Sequence, residues 1–537
     1  MRGRLNVRPR DGLAGLRVDR YTEVMLAAAA LALLAGFVFG AHIRDGGFYS
    51  DDWSTASDVE FRGYRGTVGF TFHHVIPGRP VLAAAQPVTH YLFGLDMATH
   101  LAVGVVLAAL SSLSFFVCLR CLRVEFPHAL AMAALSLVFP WSIGLRLWSI
   151  GAIDNLALIA YFLGTAAALT ALGLRPDRRG TALTLHAVAT VLYVVSVLTY
   201  QIAPAVILAS LVLYRTRVSW RRASRRWLID TTVVLVATAA SGIATSRLRR
   251  VGALSDVVPD IPRFVRDGVA IFAEMFLPPG VESALPKALV LVAAAAVVTM
   301  SIVRARGGAT TVRTWLVRGA AGAGAIALSY VMFLGSGLLP SYSGIDDRAN
   351  ALAAFGFVVA AYSLLVVLCL VVAGGRRRWS VACLAASALV LGSGWIARVH
   401  DDIALFRAAS LRQTEELSLL DEVVGRPQSG STLLVFGFPA TSAPGIPIFS
   451  QPWDLEGAIR LRWNDSSLEA FPIFRRGVSC DPGGIKPLEF EERQYLATYE
   501  RAIFVDLAKR TWRRVPSRGA CHQSLPEFTP GPMAASP

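Results

Sequence analysis

Long apolar runs separated by short basic connections dominate the chain. Eleven stretches, at about 22–41, 99–119, 127–143, 149–172, 181–198, 200–214, 228–246, 285–304, 313–335, 350–373 and 379–397, come near the ~20 residues needed to cross a ~30 Å hydrocarbon core. Their apolar residues are clustered rather than periodic, which predicts a bundle of membrane-spanning helices. Two connections depart from this rhythm. The first, 42–98, opens with a polar, turn-rich half containing Asp45-Gly46-Gly47, Arg62-Gly63-Tyr64-Arg65-Gly66 and Pro77-Gly78-Arg79-Pro80. Its second half, 81–98, is apolar but broken by Gln86, Pro87, His90 and Asp96, a pattern suited to an interfacial or re-entrant helix. In the second, 261–276, apolar residues recur at Val265, Val269, Phe272 and Phe276 before Pro278-Pro279-Gly280. Those helical steps predict another interfacial helix.

Past Arg398 the pattern changes. Residues 401–424 read as a helix with interspersed charges, and 431–438 (STLLVFGF) and 501–507 (RAIFVDL) read as short buried strands. The expected fold is a polytopic α-helical membrane protein of about eleven transmembrane helices. Outer-face interfacial helices and a small C-terminal α/β extracytoplasmic domain complete it. The divisions are a cytoplasmic segment 1–21, a membrane domain 22–397 with its first outer loop at 42–98, and an outer domain 398–537.

Composition agrees: 54% of residues are hydrophobic and 17% charged, against ~25% charged in soluble domains. The net charge of +15 comes mostly from arginines flanking spans, where anionic headgroups lie. No zinc-finger spacing or RNA-binding signature accompanies it, so nucleic acid is set aside as a partner. Arg2, Arg4, Arg8, Arg10, Arg17 and Arg20 place the N-terminus in the cytoplasm, and five alternate connections carry further arginines on the same side. An odd span count then leaves the C-terminal domain outside. The first apolar run outlasts a 7–15-residue signal core, so it is expected to stay as an anchor. Arg247, Arg249 and Arg250 break the charge rule by falling outside. Either a long loop escapes the bias, or these arginines hold a phosphate group. Cys118 and Cys121 form an isolated C-x-x-C, while Cys480 and Cys521 stand alone in the outer domain and are expected to pair.

Unusual polar groups gather on the predicted outer face. Asp51, Asp52 and Trp53 follow directly on the first span, and the same loop supplies His73, His74 and Arg79. Later turns add Arg146, Asp154, Tyr200, Gln201, Glu274 and Arg348. Carboxylates beside hydrocarbon are costly and usually functional; the plain reading of Asp51 is an N-cap for the helix that follows. Transfer of a phosphate-borne group to a hydroxyl would need a base for the acceptor proton and positive charge against the departing phosphate. Asp51 or Asp52 supplies the first. Arg79, Arg348 or the cluster of Arg247, Arg249 and Arg250 supplies the second. Trp53, His73, His74, Arg146, Asp154, Tyr200, Gln201 and Glu274 are the candidate substrate contacts.

The layout resembles the GT-C superfamily of integral-membrane glycosyltransferases, which use polyprenyl-phosphate sugars. Asp51-Asp52-Trp53 in the first outer loop, the interfacial helices, the many spans and the outer domain carry that resemblance. It implies that Asp51 or Asp52 is the catalytic base or helps hold a divalent metal, Mg or Mn. Gly78-Arg79-Pro80 is similar to an element of bacterial relatives, and Arg79 would contact the donor phosphate. A bacterial plasma-membrane location, a polyprenyl-phosphate sugar donor and a cell-envelope glycan, lipid or protein acceptor are implied. Two other readings stay open: a transporter or flippase of a lipid-linked sugar, and an envelope assembly or binding protein with Trp453 and Trp463 as stacking platforms.

Overall fold

The computed structural model describes residues 19–533, apart from 247–253, 282, 307–308, 335, 337, 374–375 and 494–495. The arginines at 247, 249 and 250 therefore lie outside the described residues. The chain begins with α1 (Arg20–Asp45), started by the Asp19 carboxylate, which accepts the Thr22 N–H at 2.8 Å. There follow α2 (Asp51–Phe70), α3 (Pro80–Phe93), α4 (Met97–Cys121), α5 (Phe126–Leu137), α6 (Asn155–Gly173) and α7 (Arg179–Thr199). The second half holds α8 (Trp220–Ser246), α9 (Leu254–Glu274), α10 (Ala284–Arg306), α11 (Thr310–Val331), α12 (Ala353–Val372) and α13 (Arg377–Val424).

This is a polytopic α-helical architecture carrying a small C-terminal sheet domain. Among the described residues, eight helices are long and apolar enough to cross a membrane. The other three apolar stretches differ for local reasons. Residues 127–143 stop as α5 at Leu137, shortly before Pro140, and 200–214 fold as a shorter broken helix begun by Pro204. The stretch 313–335 is long enough as α11, but Arg313, Arg318 and a Gly/Ala-rich middle make it less apolar.

The polar half of the first loop, expected to be turns, is the helix α2. It accommodates the glycines through a single kink at Gly63, whose φ is 66°. Both expected loop helices are present, as α3 and α9. The last apolar stretch and the charged helix read at 401–424 are one element: α13 runs unbroken for 48 residues from the bundle to the sheet domain.

That domain is built on β1 (Thr432–Phe436), β2 (Glu469–Pro472), β3 (Ala502–Asp506) and β4 (Thr511–Arg514), with α14 (Pro452–Trp463) packed against them. The sheet order is β2-β1-β3-β4; β1 runs parallel to both neighbours, and β4 is antiparallel to β3. Every residue of β1 and β3 is buried, as expected of parallel strands covered on both faces. Leu433, Val435, Ile503 and Val505 face α14 and the end of α13, while Leu434, Phe436 and Phe504 face the opposite layer. A Cys480–Cys521 disulfide with a Cα separation of 6.0 Å ties that second layer together.

Because β1 has parallel partners on both sides, its carboxyl end is a switch point, where connections diverge and open a crevice. The chain leaving it turns back onto the bundle: Gly445 O accepts the Ile345 N–H at 2.9 Å, and Ile446 joins the core of the membrane part. The sheet therefore aims its carboxyl end at the helices.

Closing a loop of about 40 residues is worth ~4 kcal/mol in the chain-entropy view. Replacing Cys480 and Cys521 together by alanine should destabilise the sheet domain by about 2–4 kcal/mol, read as a lower unfolding midpoint of a domain-resident tryptophan signal in detergent.

Candidate active site

The site is built where the first loop meets two turns of the bundle and the sheet domain. Asp51 and Asp52 open α2 after Ser50, whose φ of 48° and ψ of −125° are rare for an L residue. The two carboxylates have opposite surroundings. Asp52 is completely buried; Oδ2 accepts the Tyr49 N–H at 2.9 Å and Oδ1 the Ile150 N–H at 2.9 Å. The Trp148 indole donates to Tyr49 O at 2.8 Å alongside. Asp52 is thus a clamp between the first loop and the 148–150 turn. Burial pushes its carboxyl up to about 8 against the pull of those backbone N–H groups. Asp51 is half-buried at the cleft, and one of its oxygens, Oδ1, accepts the Trp453 indole N–H at 2.7 Å.

Two arginines stand close to Asp154, which is itself within electrostatic reach of Asp51, and each lies over an aromatic ring. The Arg79 guanidinium is 4.4 Å from the Tyr200 ring centre, and Arg348 is 5.2 Å from that of Trp148. Arg79 Nε donates to Gln201 Oε1 at 2.8 Å. Its loop is seated by Gly78, where a Cβ would fall 2.6 Å from Ser241 O. Gly78 O accepts from the Ser241 hydroxyl at 2.6 Å, and Pro80 begins α3 at the position that needs no N–H. Those contacts give Gly78-Arg79-Pro80 a local physical reason.

Arg348 Nε is buried without a hydrogen-bond partner. Burial alone would lower this guanidinium, but Tyr200, Asp154, Asp51 and Asp346 outweigh it and raise it overall. Asp154 lies within electrostatic reach of Arg79, Arg348 and Asp51. The turn carrying Arg348 is fixed from below: buried Asp347 accepts the Ile143 and Gly144 N–H groups at 2.5 and 2.9 Å. The cleft thus gathers Asp51, Arg79, Asp154, Tyr200, Gln201 and Arg348 from four separate connections.

The remaining sequence candidates lie elsewhere or are otherwise engaged. Trp53 packs between Phe48 and Phe449, bridging α2 to the sheet domain. His73 and His74 are exposed at the end of α2. Arg146 is buried and donates to the carbonyls of Ser136, Phe139 and Ser142 at 2.6, 3.1 and 2.7 Å. Its guanidinium holds a turn and does not pair with Asp154. Glu274 belongs to a second cluster, where it accepts the Trp141 indole N–H at 3.2 Å and pairs with Lys287. Trp463 is largely buried and donates to Asp421 at 3.0 Å, so it is packing, not a platform for a glycan.

Two contributors are ones the sequence did not place at this site: Asp454, and Trp453, read there only as a stacking platform. Asp454 is completely buried; burial first, and the Asp51 charge next, push its carboxyl well above the usual range. Trp453 reaches Asp51 across 402 residues of sequence, a juxtaposition without local signal.

Beneath the Arg348 turn lies an apolar cavity of about 780 Å³ between α9, α10, α11 and α12, lined by residues such as Phe264, Phe272, Leu291, Trp315 and Leu334. Tyr330, also in its wall, donates through its hydroxyl to Asn350 Oδ1 at 2.7 Å. The cavity therefore ends against the segment that carries Arg348.

A divalent metal fits these residues poorly. Both oxygens of Asp52 are taken by backbone N–H groups and one of Asp51 by an indole. Among the described residues no group of three or more His, Cys, Asp or Glu side chains is placed to hold a metal ion.

No family model matches the sequence, and no curated protein does. Among solved structures, the chain is similar to ArnT from Cupriavidus metallidurans in its apo state, at 13% identity and a TM-score of 0.43, over 91% of this chain and 94% of that one. ArnT bound to undecaprenyl phosphate matches at 16% identity and a TM-score of 0.34, over 78% and 83%. The oligosaccharyltransferase of Archaeoglobus fulgidus, tethered to an acceptor peptide, matches at 12% and 0.40, over 78% and 62%.

The Asp52 clamp has a pH signature. Its carboxyl sits near 3.8 in the unfolded chain and about 8 in the fold, so between those values the folded state holds one more proton. The stability carried by the neutral carboxyl is complete below about pH 4 and is lost as pH rises toward 8. The unfolding midpoint of the parent protein should therefore fall across that window relative to Asp52→Asn, by up to ~1.4 kcal/mol per pH unit. Parallel slopes for the two proteins would contradict this assignment.

Proposed function

We propose that this protein is a membrane glycosyltransferase of the GT-C type, moving a sugar from a polyprenyl-phosphate donor to a hydroxyl of a cell-envelope acceptor. The observation that carries the reading is one half-buried carboxylate, Asp51, in a polar cluster with two arginines that lie over aromatic rings. A guanidinium stacked on a ring keeps its N–H edge free, the geometry suited to phosphate oxygens. The buried Nε of Arg348, without a protein partner, is a donor available for such an oxygen.

In this reading the donor phosphate rests on Arg348 and Arg79, and its prenyl chain enters the apolar cavity below the Arg348 turn. The acceptor hydroxyl approaches the anomeric carbon with Asp51 as base. The acceptor O–C1 bond forms and the C1–O bond to phosphate breaks. The acceptor proton passes to Asp51, and polyprenyl phosphate leaves with the electron pair, its added charge met by the two arginines. Asp154, Tyr200 and Gln201 orient the arginines and line the sugar pocket. Asp52 holds the loop and takes no proton from substrate.

Orientation follows the basic connections: the N-terminus in the cytoplasm and the cleft on the outer face of a bacterial plasma membrane. A lipid-borne donor then reaches the cleft laterally, and no nucleotide-binding loop is required.

The test is transfer by protein in nanodiscs, from a panel of polyprenyl-phosphate sugars to mixed envelope acceptors. Asp51→Asn should lower turnover by about 10²–10⁴-fold with the fold intact. Arg348→Gln should raise the donor KM about tenfold or more. Donor binding without transfer by the unaltered protein would favour a transporter or an assembly protein instead.

A further inference from the structure

The sheet domain makes a bond to the one carboxylate that the proposed chemistry uses. Trp453, in the first turn of α14, donates its indole N–H to Asp51 Oδ1 at 2.7 Å. The approach is fixed one turn further along the same face. At Gly457 the backbones of α14 and α2 touch: a Cβ there would lie 2.5 Å from Trp53 O and 2.7 Å from Ser54 N. Only glycine lets the two helices come this close, and Trp53 and Ser54 are the residues just after the carboxylates. Between these contacts sits Asp454, completely buried, its carboxyl pushed well above the usual carboxylate range by burial first and by the Asp51 charge next.

We propose that Trp453 is a positioning residue for Asp51 and that the C-terminal domain completes the active site through it; this rests on the glycosyltransferase reading above. An indole N–H donates and never accepts. It therefore stabilises the unprotonated face of the carboxylate at Oδ1 and leaves Oδ2 as the atom that takes the acceptor proton. It also fixes the carboxylate plane relative to the cleft, so the base needs no reorientation during transfer. Gly457 sets the distance. The groups facing Asp51 from the surrounding elements are Asp52 on its own helix, Asp454 and Trp453 from the domain, and Arg348 and Asp154 across the cleft.

The experiment is a double-mutant cycle in the full-length protein in nanodiscs, using Trp453→Phe, Asp51→Asn and both together. Phenylalanine keeps an aromatic side chain but removes the N–H together with the five-membered ring that carries it. Trp453→Phe is expected to lower kcat about tenfold with KM for donor and acceptor unchanged. In the Asp51→Asn background the same change should have no further effect on the residual rate. Gly457→Ala, which pushes α14 off α2, should reproduce the loss in kcat and serves if Trp453→Phe folds poorly. Unaltered kcat in both single variants, or an effect of Trp453→Phe that adds in full to that of Asp51→Asn, would overturn the positioning role while leaving the enzyme reading in place. Absence of transfer by the parent protein with every donor would overturn the enzyme reading itself.

Discussion

The structure depends on one buried carboxylate. Asp52 bonds the backbone of its own loop on one side and that of the 148–150 turn on the other, and its side chain is fully buried. A buried backbone N–H without a partner costs roughly 1–3 kcal/mol, so satisfying two at once fixes where the first loop lies on the bundle. The neighbouring residue, Asp51, is then carried to the cleft. In the proposed reading, two consecutive aspartates divide the work between anchoring and chemistry, because a helix start points adjacent side chains in different directions.

From that anchor the rest of the site is assembled by turns held from beneath. Asp347 receives two N–H groups of the 143–144 turn, and Asn350 donates to the carbonyls of Trp141 and Ser341 at 2.6 and 2.9 Å. Arg146 gathers three carbonyls of the segment before it. These buried polar groups hold the segments that carry Arg348 and Arg79, whose guanidinium groups lie half-buried over aromatic rings. The chain after β1 turns toward the bundle, where Gly445 O accepts the Ile345 N–H, three residues before Arg348. The domain is a wall of the cleft as well as an appendage on its long helix.

Much of this was legible in the sequence because hydrophobic length and basic flanks report bundle architecture directly. The apolar runs gave the helices, and the β-branched and aromatic runs STLLVFGF and RAIFVDL gave the two central strands. The polar half of the first loop was misread as turns because its glycines suggest breaks. α2 absorbs them with one kink, since packing against α14 and α3 outweighs the helix cost of glycine. At the site, Asp51, Arg79, Asp154, Tyr200, Gln201 and Arg348 stood out as polar residues at span ends, and they meet in space. The division of labour between Asp51 and Asp52 was hidden, because it depends on which backbone groups lie opposite. Trp453 and Asp454 were hidden for the same reason: their partner is some 400 positions away.

The most direct test of the account is an experimental structure of the protein in nanodiscs with a non-transferable polyprenyl-phosphate sugar analogue. The account predicts the phosphate against the guanidinium edges of Arg348 and Arg79, the prenyl chain in the cavity between α9 and α12, and the anomeric carbon facing Asp51. A phosphate seated instead at the Lys287–Glu274 pair, with Asp51 remote from the sugar, would contradict it.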